Sequence, residues 1–220
     1  MRKRFVFTAM AILLVAGSAV QAQVLSYGAK LGMGFPGFID ERIASQRITL
    51  DLGLTGSVKF TDGIQLMMDL GYQRKGSSFR NKYLDANKKE VPDSSYRVKT
   101  NLDYVDIPLY LRFSLGHSSK FYLQLGGYYG YLVHANFTGK RLGEMVKRVP
   151  IKDGLQLHDY GVIAGGGIET PIRQGLGVIL DIKYQYGLRD LNKNNLIIGN
   201  SNPIKNKGLA LTMGFYVDVD

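Results

Sequence analysis

Alternation with period two runs through long stretches of this chain, and it sorts residue types both by face and by strand end. In 175–188, GLGVILDIKYQYGL, one face carries Leu176, Val178, Leu180, Ile182, Tyr184 and Tyr186. The other carries Gly177, Ile179, Asp181, Lys183, Gln185 and Gly187, because side chains alternate along a strand. Segment 121–133 repeats the arrangement with Phe121, Leu123, Leu125, Gly127, Tyr129, Tyr131 and Val133 on one face. Each apolar face begins with aliphatic residues or Phe and closes on paired tyrosines. That order suits a strand crossing a bilayer, its apolar face in lipid and its phenol rings at the headgroups.

Eight segments carry strand patterning: 25–35, 47–60, 64–76, 99–114, 120–133, 158–170, 175–188 and 206–218. They exceed the roughly 5–6 residues of globular strands and reach the roughly 9–11 that a tilted membrane strand needs. The connectors alternate in length. Thr61-Asp62-Gly63, Leu115 to Ser119 and Pro171 to Gln174 are short and rich in turn residues, whereas 36–46, 77–98, 134–157 and 189–205 are long. The pattern predicts an all-β fold: an eight-stranded antiparallel up-and-down transmembrane β-barrel. Short turns and both termini are expected in the periplasm, with the long loops extracellular. A soluble ligand-binding barrel would need the apolar face inside and the Gly-rich polar face in water; strand length and aromatic sorting argue against it.

The N-terminus fits export. Arg2, Lys3 and Arg4 precede an apolar run from Phe5 to Val15, and Val20-Gln21-Ala22 suits a signal-peptidase site. Residues 1–22 are expected to be a signal peptide and 23–220 the outer-membrane barrel domain. The apolar run is too short for a spanning anchor. With no Cys in the chain, neither a disulfide framework nor a lipoprotein anchor is expected. Of the formal charge of +10, three positives lie in the signal segment, leaving +7. No nucleic-acid-binding motif accompanies that charge, so nucleic acid is not expected as a partner.

The alternation divides the barrel residues into two sets. The expected interior charge network is Lys30, Asp51, Lys59, Asp69, Asp106, Arg112, Glu169, Asp181 and Lys183. Gln65, Gln73, Gln124, Gln185, Tyr110, Tyr122, Tyr128 and many glycines share that face. An eight-stranded barrel has room inside for side chains only, and charges of both signs imply pairing, because an unpaired buried charge is costly. The expected aromatic girdle is Phe60, Phe113, Phe121 and Phe215 at the turn end. At the loop end it is Tyr72, Tyr129, Tyr131, Tyr160, Tyr184 and Tyr186. Pro108 points inward by alternation and is expected at a bulge or irregularity, since it has no ladder donor.

Catalytic and metal signals are sparse. His117 falls in a turn, and His134 and His158 bracket the third long loop, where they are placed to approach each other. No Ser lies near them within either strand, and Asp159 is expected to face inward, so a lipid-acting His/Ser/acid set is not assembled. Two histidines do not make a structural zinc site. Gly165-Gly166-Gly167 lacks the Lys-Ser/Thr and helix of a phosphate loop and reads instead as a place of close packing. No cofactor or metal is expected. Segments 77–98 and 134–157 each carry five positives, against three and two negatives. The basic loops are candidates for contact with anionic surface glycans.

The strand Leu102-Asp103-Tyr104-Val105-Asp106-Ile107-Pro108-Leu109-Tyr110-Leu111-Arg112-Phe113 resembles the Pro-bearing strand of PorT-like outer-membrane barrels of Bacteroidetes-type bacteria. The likeness continues in 126–131, 159–169, 184–191 and 208–217. It implies an eight-stranded outer-membrane barrel without catalysis. The family's namesake is linked to protein secretion across the outer membrane. The last residues depart from the terminal aromatic of the usual barrel, so Phe215 or Tyr216 is expected to serve as an internal assembly signal. The expected function is a non-enzymatic barrel with a filled interior, monomeric in outer-membrane lipid, supporting the envelope or a surface or secretion assembly. A narrow channel for small solutes, and less so a lipid-modifying enzyme, are the alternatives.

Overall fold

The computed structural model describes residues 24–39, 44–45, 47–84, 90–141, 144–193 and 203–219; the expected signal peptide lies outside them. Among the described residues eleven strands form one sheet: β1 Leu25–Phe38, β2 Ala44–Ser45, β3 Thr49–Thr61, β4 Ile64–Lys75, β5 Ser78–Leu84, β6 Glu90–Leu115, β7 Lys120–Arg141, β8 Glu144–Pro150, β9 His158–Arg173, β10 Leu176–Gly187 and β11 Asn206–Val219. Eight of them close a cylinder. β3, β4, β6, β7, β9, β10, β11 and β1 pair in that order, each antiparallel to its neighbours, and β1 pairs with β3 to close the ring. Closure leaves no unpaired edge within the barrel wall, which is what a sheet in lipid requires.

The turns are local chemistry. Thr61 Oγ1 accepts hydrogen bonds from the backbone N–H groups of Gly63 and Ile64 (3.3 and 3.1 Å), folding β3 back into β4. Gly116 and Gly175 take positive φ (124° and 72°) at the other two turns, a conformation that L side chains resist. β9 runs on to Arg173, three residues beyond the Thr170 at which the sequence pattern ends it, because Pro171 is taken into the ladder opposite Gly177 beside a register shift.

Two of the long connectors are not loops. β5 pairs with the upper part of β6, and β8 with the upper part of β7, while β6 and β7 stay paired as far as Arg97 and Lys140. β6 reaches 26 residues and β7 reaches 22, well beyond the barrel. The expectation of loops over 77–98 and 134–157 is corrected accordingly. Backbone pairing satisfies the N–H and C=O groups of a hairpin whatever side chains it carries, so a hairpin beyond the lipid need not show the alternation of a barrel strand. On β7 a register shift falls where Asp103 pairs with His134 and Tyr104 with Leu132. Val133 is the extra residue, and it and His134 are both exposed in succession.

The wall has two faces. Outward residues such as Leu54, Leu70, Leu109, Leu123, Leu125 and Met213 are at least half exposed. Inward ones are polar and buried, with Arg112 1 % exposed and Asp181 likewise 1 %. In water this would be an inverted protein; it is an ordinary one in lipid.

Candidate functional site: the filled barrel lumen

The inward side chains stack in three polar layers. At the turn end, Arg112 Nη1 donates to Glu169 Oε2 at 3.1 Å, and its guanidinium lies 3.8 Å from the Tyr122 ring centre. Beside it Lys59 pairs with Asp218 at 2.9 Å, and Ser26 donates to the same carboxylate. The glycines of β9 and β10 make this packing possible. A Cβ on Gly167 would collide with the Tyr122 hydroxyl, and one on Gly177 with the Tyr216 ring.

The middle layer has two lysines and two aspartates. Lys30 Nζ lies 3.3 Å from Asp69 and 3.5 Å from Asp181. Lys183 Nζ lies 3.2 Å from Asp69 and 3.8 Å from Asp181. Tyr110 accepts from Lys30 and donates to Asp69, both at 2.9 Å, and Gln124 donates to Asp181 at 2.7 Å. Buried charges of this kind persist only when every one is met by opposite charge or hydrogen bonds; here four charges and two neutral partners do it.

The layer at the loop end is organised by Lys75, whose Nζ lies 2.9 Å from Asp106 and 3.2 Å from Asp159. Tyr104 and Tyr128 present their rings to it at 4.8 and 4.2 Å, a cation–π cradle. Tyr128 and Asn206 also donate to Asp159. Asp51, half-buried, accepts from Gln73 at 2.9 Å. Lys75 and Asp159 lie outside the nine residues singled out from sequence. Extending the alternation of β4 by one step from Gln73 reaches Lys75, so the signal was present. Asp106 and Arg112 flank Pro108 on one strand but belong to different layers. Pro108 is buried, and the pairing of β6 with β4 skips Ile107 and Pro108 and resumes in the same register. The irregularity at proline is a gap in the ladder, not a bulge.

Above this layer the mouth is apolar. Phe38, Leu102, Tyr104, Leu132, Ala135, Leu155 and Leu191 form one buried cluster, with Ile151 and Ile204 against it. Leu155 and Leu191 come from the connectors, drawn across by the Leu155–Asn192 bridge and by the backbone bond from Gln156 N to Leu191 O. Voids remain beneath: one of about 30 Å³ bordered by Lys30, Asp51, Asp69, Asp106, Pro108 and Lys183, and two of about 10 Å³. A water needs roughly 10–15 Å³, so each holds little more than water.

The girdle residues stand on the outside. Phe60, Phe113, Phe121 and Phe215 are exposed near the turn end, and Tyr129, Tyr131, Tyr160, Tyr184 and Tyr186 are exposed near the loop end. Tyr72 is half-buried. The separation by type is incomplete, because Tyr27 is exposed at the turn end. Phe215 faces out, whereas Tyr216 is buried with Tyr122 and Ile179. His158 bonds the Tyr129 hydroxyl through Nδ1 and lies between the Tyr129 and Tyr131 rings. His134 instead stands in register with Asp103, and His117 is exposed in its turn. Among the described residues no cluster of three or more His, Cys, Asp or Glu is placed to hold a metal ion.

A closed barrel of eight strands, inverted in polarity and filled with ion pairs, meets its match in a family model described as an outer membrane protein beta-barrel domain, over residues 21–193. The chain belongs to that family. Its fold is similar to a major outer membrane protein from Thermus thermophilus, at 11% identity and a TM-score of 0.52, covering 90% of this chain and 100% of that one. Outer Membrane Protein W of E. coli (14% identity, TM-score 0.47, 90% and 98% covered) and the Neisserial surface protein A (10%, 0.47, 90% and 99%) are also similar. No curated protein sequence matches the chain. As a member of the outer membrane barrel family, the protein takes its place in the outer membrane.

Proposed function

We propose that this protein is a non-conducting, non-enzymatic barrel that holds a projecting β-sheet at the cell surface, where it supports the envelope or a secretion assembly. The observation that carries the reading is the contrast between its two ends. The lumen is occupied by paired charges and closed by the apolar cluster at its mouth, while β5, β6, β7 and β8 continue past the mouth as a paired sheet. Charges paired across a lumen this tightly filled are positioned for rigidity, not for passing a solute. Function then resides in the projecting strands, where sequence is free to vary without disturbing the barrel.

In this reading residues 1–22 direct export, the turns and termini face the periplasm, and the sheet faces outward. The resemblance of the Pro108-bearing strand to PorT-like barrels supports a secretion role. The basic character of 77–98 and 134–157 supports contact with anionic surface glycans or an acidic partner. Gentle-detergent capture of the full protein from its native outer membranes tests the proposal. A stoichiometric protein partner, lost on deleting residues 81–96, is the expected result. A lone heat-modifiable monomer together with discrete conductance in planar bilayers overturns it in favour of a channel. Lipid A altered by the intact protein, but not by a variant carrying His134→Ala and His158→Ala, overturns it in favour of an enzyme.

A further inference from the structure

On the outer flank of the barrel, at the loop end, a cleft of about 480 Å³ opens between β3, β4 and β6. Three cations from three parts of the chain border it: Arg47, just before β3, Arg74 on β4 and Lys99 on β6. Two of them are built in. Arg47 donates from Nη1 to the Asn101 side chain and from Nη2 to the Lys75 carbonyl oxygen at 2.9 Å. Arg74 is gripped in two-pronged fashion by Asp103, at 2.6 and 3.2 Å, and also donates to the Tyr72 hydroxyl at 3.2 Å. Lys99 is exposed. Asp103 is the one carboxylate engaged with these cations among the described residues, so the described residues of the cleft carry two positive charges in excess. Burial, and after it the Arg74 charge, lower the affinity of Arg47 for its proton, against the opposing pull of Asp103. The cleft is thus arranged to favour an anion.

The floor adds the second half of the specification. Ile48 and Leu50 line the cleft and are 68 % and 51 % exposed. The lipid-facing column continues from them through Leu52, paired with Tyr72, and Leu54, paired with Leu70. Cations above an aromatic residue above an aliphatic strip is the complement of an amphiphile, with phosphate at the guanidinium groups and acyl chain along the leucines. We propose that this cleft is a binding site for a phosphate-bearing lipid of the leaflet at the loop end of the barrel. The site rests on the family's membrane placement and on the cleft itself. It does not require that the projecting sheet have a protein partner.

Native mass spectrometry of the full-length protein in detergent tests this, with dioleoyl phosphatidic acid, dioleoylglycerol and glycerol 3-phosphate as probes. Phosphatidic acid is expected to be retained about tenfold or more better than dioleoylglycerol, since each cation near an anionic headgroup contributes severalfold. Glycerol 3-phosphate at millimolar concentration is expected not to displace it, because it lacks the chains. Lys99→Ala, an exposed position that leaves folding intact, is expected to weaken retention severalfold, and Arg47→Ala with Lys99→Ala to abolish the preference. Lys207→Ala, which removes an equal charge outside the cleft, is expected to change nothing. Equal retention of the phosphorylated and unphosphorylated lipids, or an equal loss with Lys207→Ala, overturns the site. Displacement by glycerol 3-phosphate overturns the lipid as its source and leaves a soluble anion site. Failure of the partner capture described above would leave each of these outcomes readable.

Discussion

Asp69 shows what a single carboxylate does in a filled barrel. It accepts from Lys30, Lys183 and Tyr110 in the buried middle layer, whereas half-buried Asp51 accepts, among the described residues, from Gln73. Removing one member of a buried ionic cluster leaves the others unpaired and costs about 3–5 kcal/mol; losing one hydrogen bond at a partly solvated site costs about 1 kcal/mol. Asp69→Asn is therefore expected to lower the urea midpoint of the protein in detergent far more than Asp51→Asn, as followed by circular dichroism and the heat-modifiable gel shift. Equal effects would mean that the lysines find other partners. The glycines give a second contrast. Gly167→Ala drives a methyl group into the Leu180 carbonyl and the Tyr122 hydroxyl, and overpacking of this kind costs about 1–3 kcal/mol. At Gly56 the new methyl has 4.0 Å to its nearest neighbour, Met68 O, so Gly56→Ala is expected to stay within about 0.5 kcal/mol. The same urea titration measures both.

At the scale of elements, the barrel strands and their extensions obey different rules. β10 alternates without a break between buried and exposed residues from Gly177 to Gly187, because lipid lies on one side and the packed lumen on the other. The pairing of the upper parts of β6 and β7 was not legible in the alternation. The bulge at Val133 was equally hidden, since one inserted residue leaves no mark on composition while it re-aims His134. The highest ion pairs of the lumen, Lys75 to Asp106 and Asp159, lie below the projecting strands. Deleting residues 81–96 and joining the ends by a tight turn is accordingly expected to leave insertion and the urea midpoint unchanged. A marked loss of stability would show that the sheet braces the barrel.

The whole molecule is a cylinder plugged twice, by ion pairs within and by an apolar cluster at one mouth. The two plugs are separable. Leu155→Ser with Leu191→Ser should loosen the mouth, yet planar bilayers are expected to show no discrete conductance, because the three polar layers still fill the lumen around voids of about 10–30 Å³. Stepwise currents in this variant would make the apolar cluster the true barrier. Local sequence was enough to determine the number and antiparallel order of the barrel strands and, away from the bulge at Val133, the face their side chains take, because period-two alternation between lipid and lumen is enforced along the barrel wall. Which charges meet was decided by the tertiary structure alone. Lys30 reaches Asp69 and Asp181 across the lumen, and Lys75 reaches Asp159, 84 positions away. Such partners depend on how strands far apart in sequence are staggered around the closed barrel, and no single strand contains that stagger. The cleft of Arg47, Arg74 and Lys99 has the same origin: three separate basic residues in the sequence become one site only when β3, β4 and β6 stand side by side.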